Sequence, residues 1–391
     1  MDIRLIWLAL GAFAIGAEGF VISTLLPSIS AETGVTIAQA GYLVLAYAVA
    51  YALSAPVLAT LTGTAARRNV LVIAAFVFAA GAVGASLANG YWPLLAARVV
   101  MAAMAGLYAA TAQATAVSMS EPAHRARAIA VVVGGTSLAV ALGAPIGGLI
   151  AGLVGWRGTY LFIAALGLVA AGAILAMLPS DLRGEHRSLR ERLGVLSLPG
   201  VVPALLTTFF YMVGPFAAFI YLSPLATRGI GLDKAWLPAV MLAWGAGAAI
   251  GNTLGGQLAD RMGANRTVIL AALLNAVFLM LLSVAPHLNP AIRATAFIAL
   301  MVPWGIVAWT FLPAQVSRLV GLTAGAAPLV LSLNGSSLYL GTAGGALLGA
   351  QVLEHASVYD LGWVSAISPV IALAILGLGR APRAEPLPRL G

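Results

Sequence analysis

Apolar runs of about twenty residues recur along the whole chain, each closed by a short polar stretch. Twelve can be bounded: 4–27, 38–61, 70–88, 92–118, 128–152, 158–178, 199–225, 234–258, 267–286, 291–316, 328–350 and 361–379. A helix needs about 20 mostly apolar residues to cross the hydrocarbon of a bilayer. The pattern predicts an all-α membrane protein with twelve transmembrane helices.

The longest polar connection, 179–198, divides the runs six and six, which predicts two bundled halves joined by a linker. The expected organisation is an N-terminal six-helix bundle over 1–180, a linker over 181–198, a C-terminal six-helix bundle over 199–380 and a tail over 381–391. Within the linker, Leu189 to Leu193 is expected either as a short helix on the membrane surface or as plain solvated chain.

Basic residues set the expected orientation. Arg4, Arg67, Arg68, Arg125, Arg127, Arg183, Arg187, Arg190, Arg192, Arg261, Arg266, Arg318, Arg380, Arg383 and Arg389 fall on one side of the predicted spans. Arg157, Arg228, Lys234 and Arg293 fall on the other, and Arg98 lies inside a span. The fifteen-to-four asymmetry places both termini and the central linker in the cytoplasm.

Composition agrees. The chain has 391 residues, of which 61% are hydrophobic and 8% charged, against about a quarter charged in a soluble domain. The net charge of +8 forms no dense patch, so topology, and not nucleic acid, accounts for it. There is no cysteine, which excludes disulfide, thiolate-metal and Cys-nucleophile chemistry. The first run is too long for a signal peptide, contains an acid and lacks a small-residue cleavage site, so it is expected as a retained span.

Enzyme signals are missing. No histidine pair has metal-ligand spacing, and Gly341-Thr342-Ala343-Gly344-Gly345 lacks the lysine of a phosphate loop. No cofactor is expected beyond a proton as coupling ion. The expected partners are the bilayer and a small-molecule substrate, and a monomer suffices for this architecture.

One residue stands out chemically. Glu18 lies mid-way along the first run and is the only carboxylate inside any of them. An acid at bilayer depth is costly unless neutralised, paired or wetted, and such residues mark functional paths. Its protonation removes a buried charge, which is enough to bias a two-state equilibrium. The alternative is a structural carboxylate held between helices. Arg98 is either a counter-charge for Glu18, an anchor for backbone carbonyls, or a side chain extending to the interface. Among the polar and aromatic residues well inside spans, Tyr47, Gln113, Tyr221 and Asn334 are the candidates for substrate contacts.

The loop after the eighth run reads Gly255-Gly256-Gln257-Leu258-Ala259-Asp260-Arg261-Met262-Gly263, and the equivalent loop after the second run ends in Arg67-Arg68. Two loops related by a six-span shift fit a duplication of the halves. The first resembles the loop signature of the major facilitator superfamily. The resemblance implies that Gly255, Gly256, Asp260, Arg261 and Gly263 form a cytoplasmic latch in an alternating-access cycle. The copy after the second run has small uncharged residues where the family has Asp-Arg, so its latch is expected to be weaker or made differently.

Arg98 followed by Gly106 is similar to the family's fourth-helix motif, which implies a role for Arg98 in proton coupling. Gly143-Ala144-Pro145-Ile146-Gly147-Gly148, followed by Trp156-Arg157, resembles the antiporters' fifth-helix motif, with Gly143, Pro145 and Gly148 at its bend. Adding Glu18-Gly19-Phe20, Tyr221-Leu222-Ser223-Pro224 and Gly251-Asn252, the chain resembles the twelve-span drug:proton antiporter branch, near the bacterial sugar, arabinose and chloramphenicol efflux permeases. That implies proton-driven export from a bacterial inner membrane, with Glu18 as the protonation site. Proton-independent transport or uptake on the same fold is the first alternative, and a non-transporting receptor or assembly protein the second.

Overall fold

The structure is a computed structural model describing residues 2–121, 124–184, 188–323 and 325–378. The expected tail 381–391 and residues 185–187 of the expected linker lie outside the described residues. The described chain is almost wholly helical: α1 (Arg4–Thr33), α2 (Ile37–Leu61), α3 (Arg67–Ser86), α4 (Tyr91–Ser118), α5 (Arg125–Met177), α6 (Leu189–Gly194), α7 (Val201–Ile220), the single turn α8 (Leu222–Pro224), α9 (Leu237–Met262), α10 (Ala264–Val284), α11 (Pro290–Leu322), α12 (Ala327–His355) and α13 (Leu361–Leu378). Among the described residues, ten helical segments are long and apolar enough to cross a membrane. One of them, Arg127–Met177, is of double length and is broken at Gly155, whose φ of 80° no helix admits. With α12, 29 residues long though less apolar, the crossings number twelve.

Local chemistry fixes several ends. Thr36 caps α2 by accepting from the Gln39 backbone N–H at 3.1 Å, while the Gln39 side chain accepts from the Thr36 N–H at 2.9 Å. Gly263, with φ 91°, makes the turn between α9 and α10. The linker segment Leu189–Gly194 is helical and opens on a second such reciprocal cap, Ser188 with Glu191.

In one half α1 packs along α5, with α3 against α4 and α5, and α2 against α4. In the other, α9 packs on α11, and α7 on α12 and α13. The halves meet through α2 with α12 and through α5 with α9, two contacts that a six-span shift exchanges. Across the first, the Tyr51 and Tyr339 rings stack at 3.5 Å and Ser336 Oγ donates to the Ala52 carbonyl at 2.9 Å. Across the second, Pro145 supplies no N–H for the Ala141 carbonyl one turn earlier, and Gly245 of α9 lies against that carbonyl, where a Cβ would come within 2.6 Å.

Close approach within each half also depends on missing side chains. A Cβ on Gly255 would run into the Thr310 carbonyl of α11, and one on Gly143 would lie 2.8 Å from the Cα of Ala17 on α1. The loop between α2 and α3 is held by backbone: Ala66 pairs with Arg183 in an antiparallel bridge, and the Arg67 N–H donates to the Leu182 carbonyl at 2.8 Å. The Arg67 guanidinium reaches the Ala114 carbonyl and Ser118 Oγ on α4. The first-half loop is therefore fastened through main chain where the second-half loop carries Asp260 and Arg261.

Candidate functional site

Glu18 lies mid-way along α1 on the side that faces α4, and Arg98 lies about two turns into α4. Arg98 Nη1 and Glu18 Oε1 are 2.5 Å apart, and neither side chain has any exposed surface. They are the only two charged residues buried among the described residues. Of the three sequence readings of Arg98, the structure realises two together. It is the counter-charge of Glu18, and its Nε donates to the Leu43 carbonyl of α2 at 3.2 Å. It does not extend to the interface.

Two tyrosines complete the cluster. Arg98 Nη1 donates to Tyr160 Oη at 2.7 Å, and the Arg98 guanidinium carbon lies 5.0 Å from the centre of the Tyr47 ring, in cation–π range. One arginine thus ties together α1, α2, α4 and α5. The pairing is monodentate: Glu18 Oε2, Arg98 Nη2 and Tyr47 Oη are buried and make no hydrogen bond within 3.5 Å among the described residues, and the Tyr47 hydroxyl is the neutral donor beside the Glu18 carboxylate. An unused carboxylate oxygen can accept a proton while Oε1 keeps its contact with Arg98.

Tyr160 was not singled out by sequence. Its signal is a polar tip three residues past Trp156-Arg157 in an otherwise apolar stretch, and its ring packs edge-on against Trp156 at 5.9 Å. A second ionic group was also passed over because its acid falls beyond the first apolar run. Glu32, at the end of α1, receives Trp156 Nε1 at 2.5 Å and the Arg157 guanidinium, which also donates to the Ala88 carbonyl at 3.0 Å. It braces the broken end of α5 at Gly155 against α1 and α3.

The other anticipated residues are dispersed. Tyr221 is fully buried at the end of α7, donates to the Ala346 carbonyl at 2.9 Å and fills the space beside Gly41 of the opposite half. Asn334 Oδ1 accepts from Thr208 Oγ1 at 2.7 Å, and Thr208 accepts from Gln315 Nε2 at 3.0 Å, a network inside the second half. Gln113 is exposed on α4. Gly143, Pro145 and Gly148 lie on α5 where it follows α1, next to the turn that carries Glu18. Gly255 is buried against α11, Gly256 faces open space, and Asp260 and Arg261 are exposed at the end of α9 without an ion pair among the described residues.

Twelve crossings, paired halves and a buried ion pair describe a membrane transporter, and the chain belongs to the Major Facilitator Superfamily, whose profile matches residues 8–346. It is a transporter and not an enzyme. Among curated proteins it is similar to the MFS-type transporter YbcL of Bacillus subtilis, 32% identical over 94% of this chain and 93% of that one. It is also similar to a chloramphenicol resistance protein of Streptomyces lividans, 31% identical over 96% and 95%. The inner membrane transport protein YdhP of Escherichia coli is 31% identical over 98% and 96%. Among solved structures, a bacterial homolog of the human lysosomal transporter Spinster, inward-facing and occupied, superposes with a TM-score of 0.78 at 17% identity, covering 96% of each chain. A D-xylose–proton symporter does so with a TM-score of 0.75 at 16% identity, covering 95% and 96%. At those identities the two structures establish the fold.

Proposed function

We propose that this transporter exports a small molecule by proton antiport through alternating access, with Glu18 as the protonation site and Arg98 as its counter-charge. The observation that carries the reading is the isolated ion pair. Two charges are buried where hydrocarbon would surround the bundle, they are bonded to each other, and one carboxylate oxygen is unused. A proton on Glu18 leaves the Arg98 charge without its counter-charge. The states of the cycle in which the four tied helices reposition then become less costly.

The 31% identity to a chloramphenicol resistance protein supports efflux of a drug-like compound, and the arginine asymmetry supports insertion in a bacterial inner membrane with both termini cytoplasmic. Asp260 and Arg261 then belong to the cytoplasmic latch, Gly143, Pro145 and Gly148 to the bend that follows α1, and Tyr47 lies closest to the coupling pair among the candidate contacts.

The test is uptake into inside-out vesicles under an imposed pH gradient, with chloramphenicol as the first compound and a resistance screen in an exporter-deficient strain to widen the set. Accumulation against the gradient of the compound, collapsed by a protonophore and absent in Glu18→Gln, is the expected result. Concentrative, gradient-driven accumulation by Glu18→Gln would overturn the mechanism.

A further inference from the structure

The second half contains a cavity with aromatic walls that the ion pair does not touch. It is lined by Phe216, Phe219, Trp244 and Trp309 with Met212, and Phe20 of α1, from the opposite half, packs against three of those rings. The Phe20 ring centre lies 5.8 Å from Phe219, 5.9 Å from Trp309 and 6.3 Å from Phe216. Counted out to its mouth the space is about 280 Å³, but the enclosed part holds at most about one water molecule. An occupant must therefore be thin and must part the rings. Phe216 and Trp309, both partly exposed, are the walls able to give way.

No charged side chain lines this cavity. Two of its walls, Trp244 and Trp309, carry an indole N–H; Trp309 is partly exposed, whereas Trp244 Nε1 is buried and has no hydrogen-bond partner among the described residues. The neighbouring Trp304 shows the contrast, because its Nε1 donates to Asn275 Oδ1 at 3.2 Å. A buried donor without an acceptor is costly, and an acceptor on a ligand removes that cost. A cation would gain from the ring faces but would meet a donor where it needs an acceptor, with no carboxylate in reach.

We propose that this cavity binds the ring of an uncharged, flat molecule and that Trp244 Nε1–H donates a hydrogen bond to a carbonyl or similar acceptor on it. The proposal names the substrate class of the export reading above and rests on that reading for the movement of the bound molecule. It has a geometric corollary. Glu18 and Phe20, two residues apart on α1, point to opposite sides of that helix, at about 200° of rotation. The ligand and the proton therefore meet opposite faces of α1 and do not touch. Competition between them runs through displacement of α1 and needs no positive charge on the ligand.

The experiment is equilibrium dialysis of the purified full-length protein in detergent, without any gradient, with three probes. Coumarin is flat, neutral and bears a carbonyl; naphthalene has the rings without an acceptor; tetraphenylphosphonium is a lipophilic cation. Saturable coumarin binding is expected, weakened about tenfold by Trp244→Phe, as loss of one hydrogen bond implies. Naphthalene binding should change less than twofold in that variant, while Phe216→Ala weakens both. If Trp244→Phe does not fold, Trp309→Ala gives the parallel reading, loss of both neutral probes. Absence of coumarin binding, coumarin binding unaltered in these variants, or tetraphenylphosphonium bound more tightly than coumarin and lost in the same variants would each overturn the proposal. Because the assay involves no proton gradient, its failure leaves the antiport reading standing, and a failed vesicle assay leaves this one.

Discussion

Arg98 of α4 reaches Glu18 of α1 at 2.5 Å, eighty positions away in the chain, and neither side chain is exposed. Breaking such a buried pair from one side leaves an uncompensated charge and costs about 3–5 kcal/mol. Glu18→Gln is therefore expected to lower the thermal unfolding midpoint as well as to abolish uphill transport. The double variant Glu18→Gln with Arg98→Gln should recover most of the stability and none of the coupling. Melting curves in detergent, set beside vesicle flux, separate the two effects. A double variant that transports uphill would mean that the pair only holds helices together.

Arg98 spreads its donors over three partners, the Leu43 carbonyl, Glu18 and Tyr160. A lysine ammonium is a single point charge and cannot cover that fork. Arg98→Lys is expected to cut the rate of gradient-driven transport at least tenfold, whereas Tyr160→Phe, which removes one neutral bond, should cost about 1 kcal/mol of stability. Wild-type rates in Arg98→Lys would show that charge alone suffices at this position.

Adjacent glycines in the loop motif have unequal duties. Gly255→Ala drives a methyl group into the Thr310 carbonyl, while the space beside Gly256 is open. Gly255→Ala should destabilise the α9–α11 packing by about 1–3 kcal/mol, the usual cost of overpacking, and Gly256→Ala should leave the melting temperature within error. Equal behaviour of the two would mean that α9 and α11 are not packed this closely in solution.

Tyr221→Phe removes the donor to the Ala346 carbonyl. The expected outcome is a stability loss of about 1 kcal/mol with the KM for the exported compound within twofold of wild type. A large KM change without a stability change would instead assign the hydroxyl to substrate.

Much of this was legible in the sequence, for identifiable reasons. Apolar run length fixes crossings because hydrocarbon thickness does, and Glu18 stood out because an acid among apolar residues has no neutral explanation. Its partner was legible only as one of three readings of Arg98. Periodicity tells which residues share a face of one helix, and says nothing about which helix that face meets. Tyr160 was invisible for the same reason. Glu32 was set aside as a loop acid because α1 continues to Thr33, past the apolar run that was bounded at residue 27. Tyr221 looked like a cavity residue from its depth in a span, yet depth does not distinguish a hydroxyl facing a ligand from one facing the next helix.

The contact between Gly245 and the Ala141 carbonyl gives the two halves a joint of a particular kind. Side chains that interdigitate must change rotamer before their helices can slide, so they behave as a ratchet. At this one contact a residue without a side chain rests on a carbonyl that Pro145 has left without its helical donor, and no side chain interlocks between the two. In the alternating-access cycle proposed above such a contact serves as a bearing, over which one half turns on the other, and a single methyl group at residue 245 is expected to seize it.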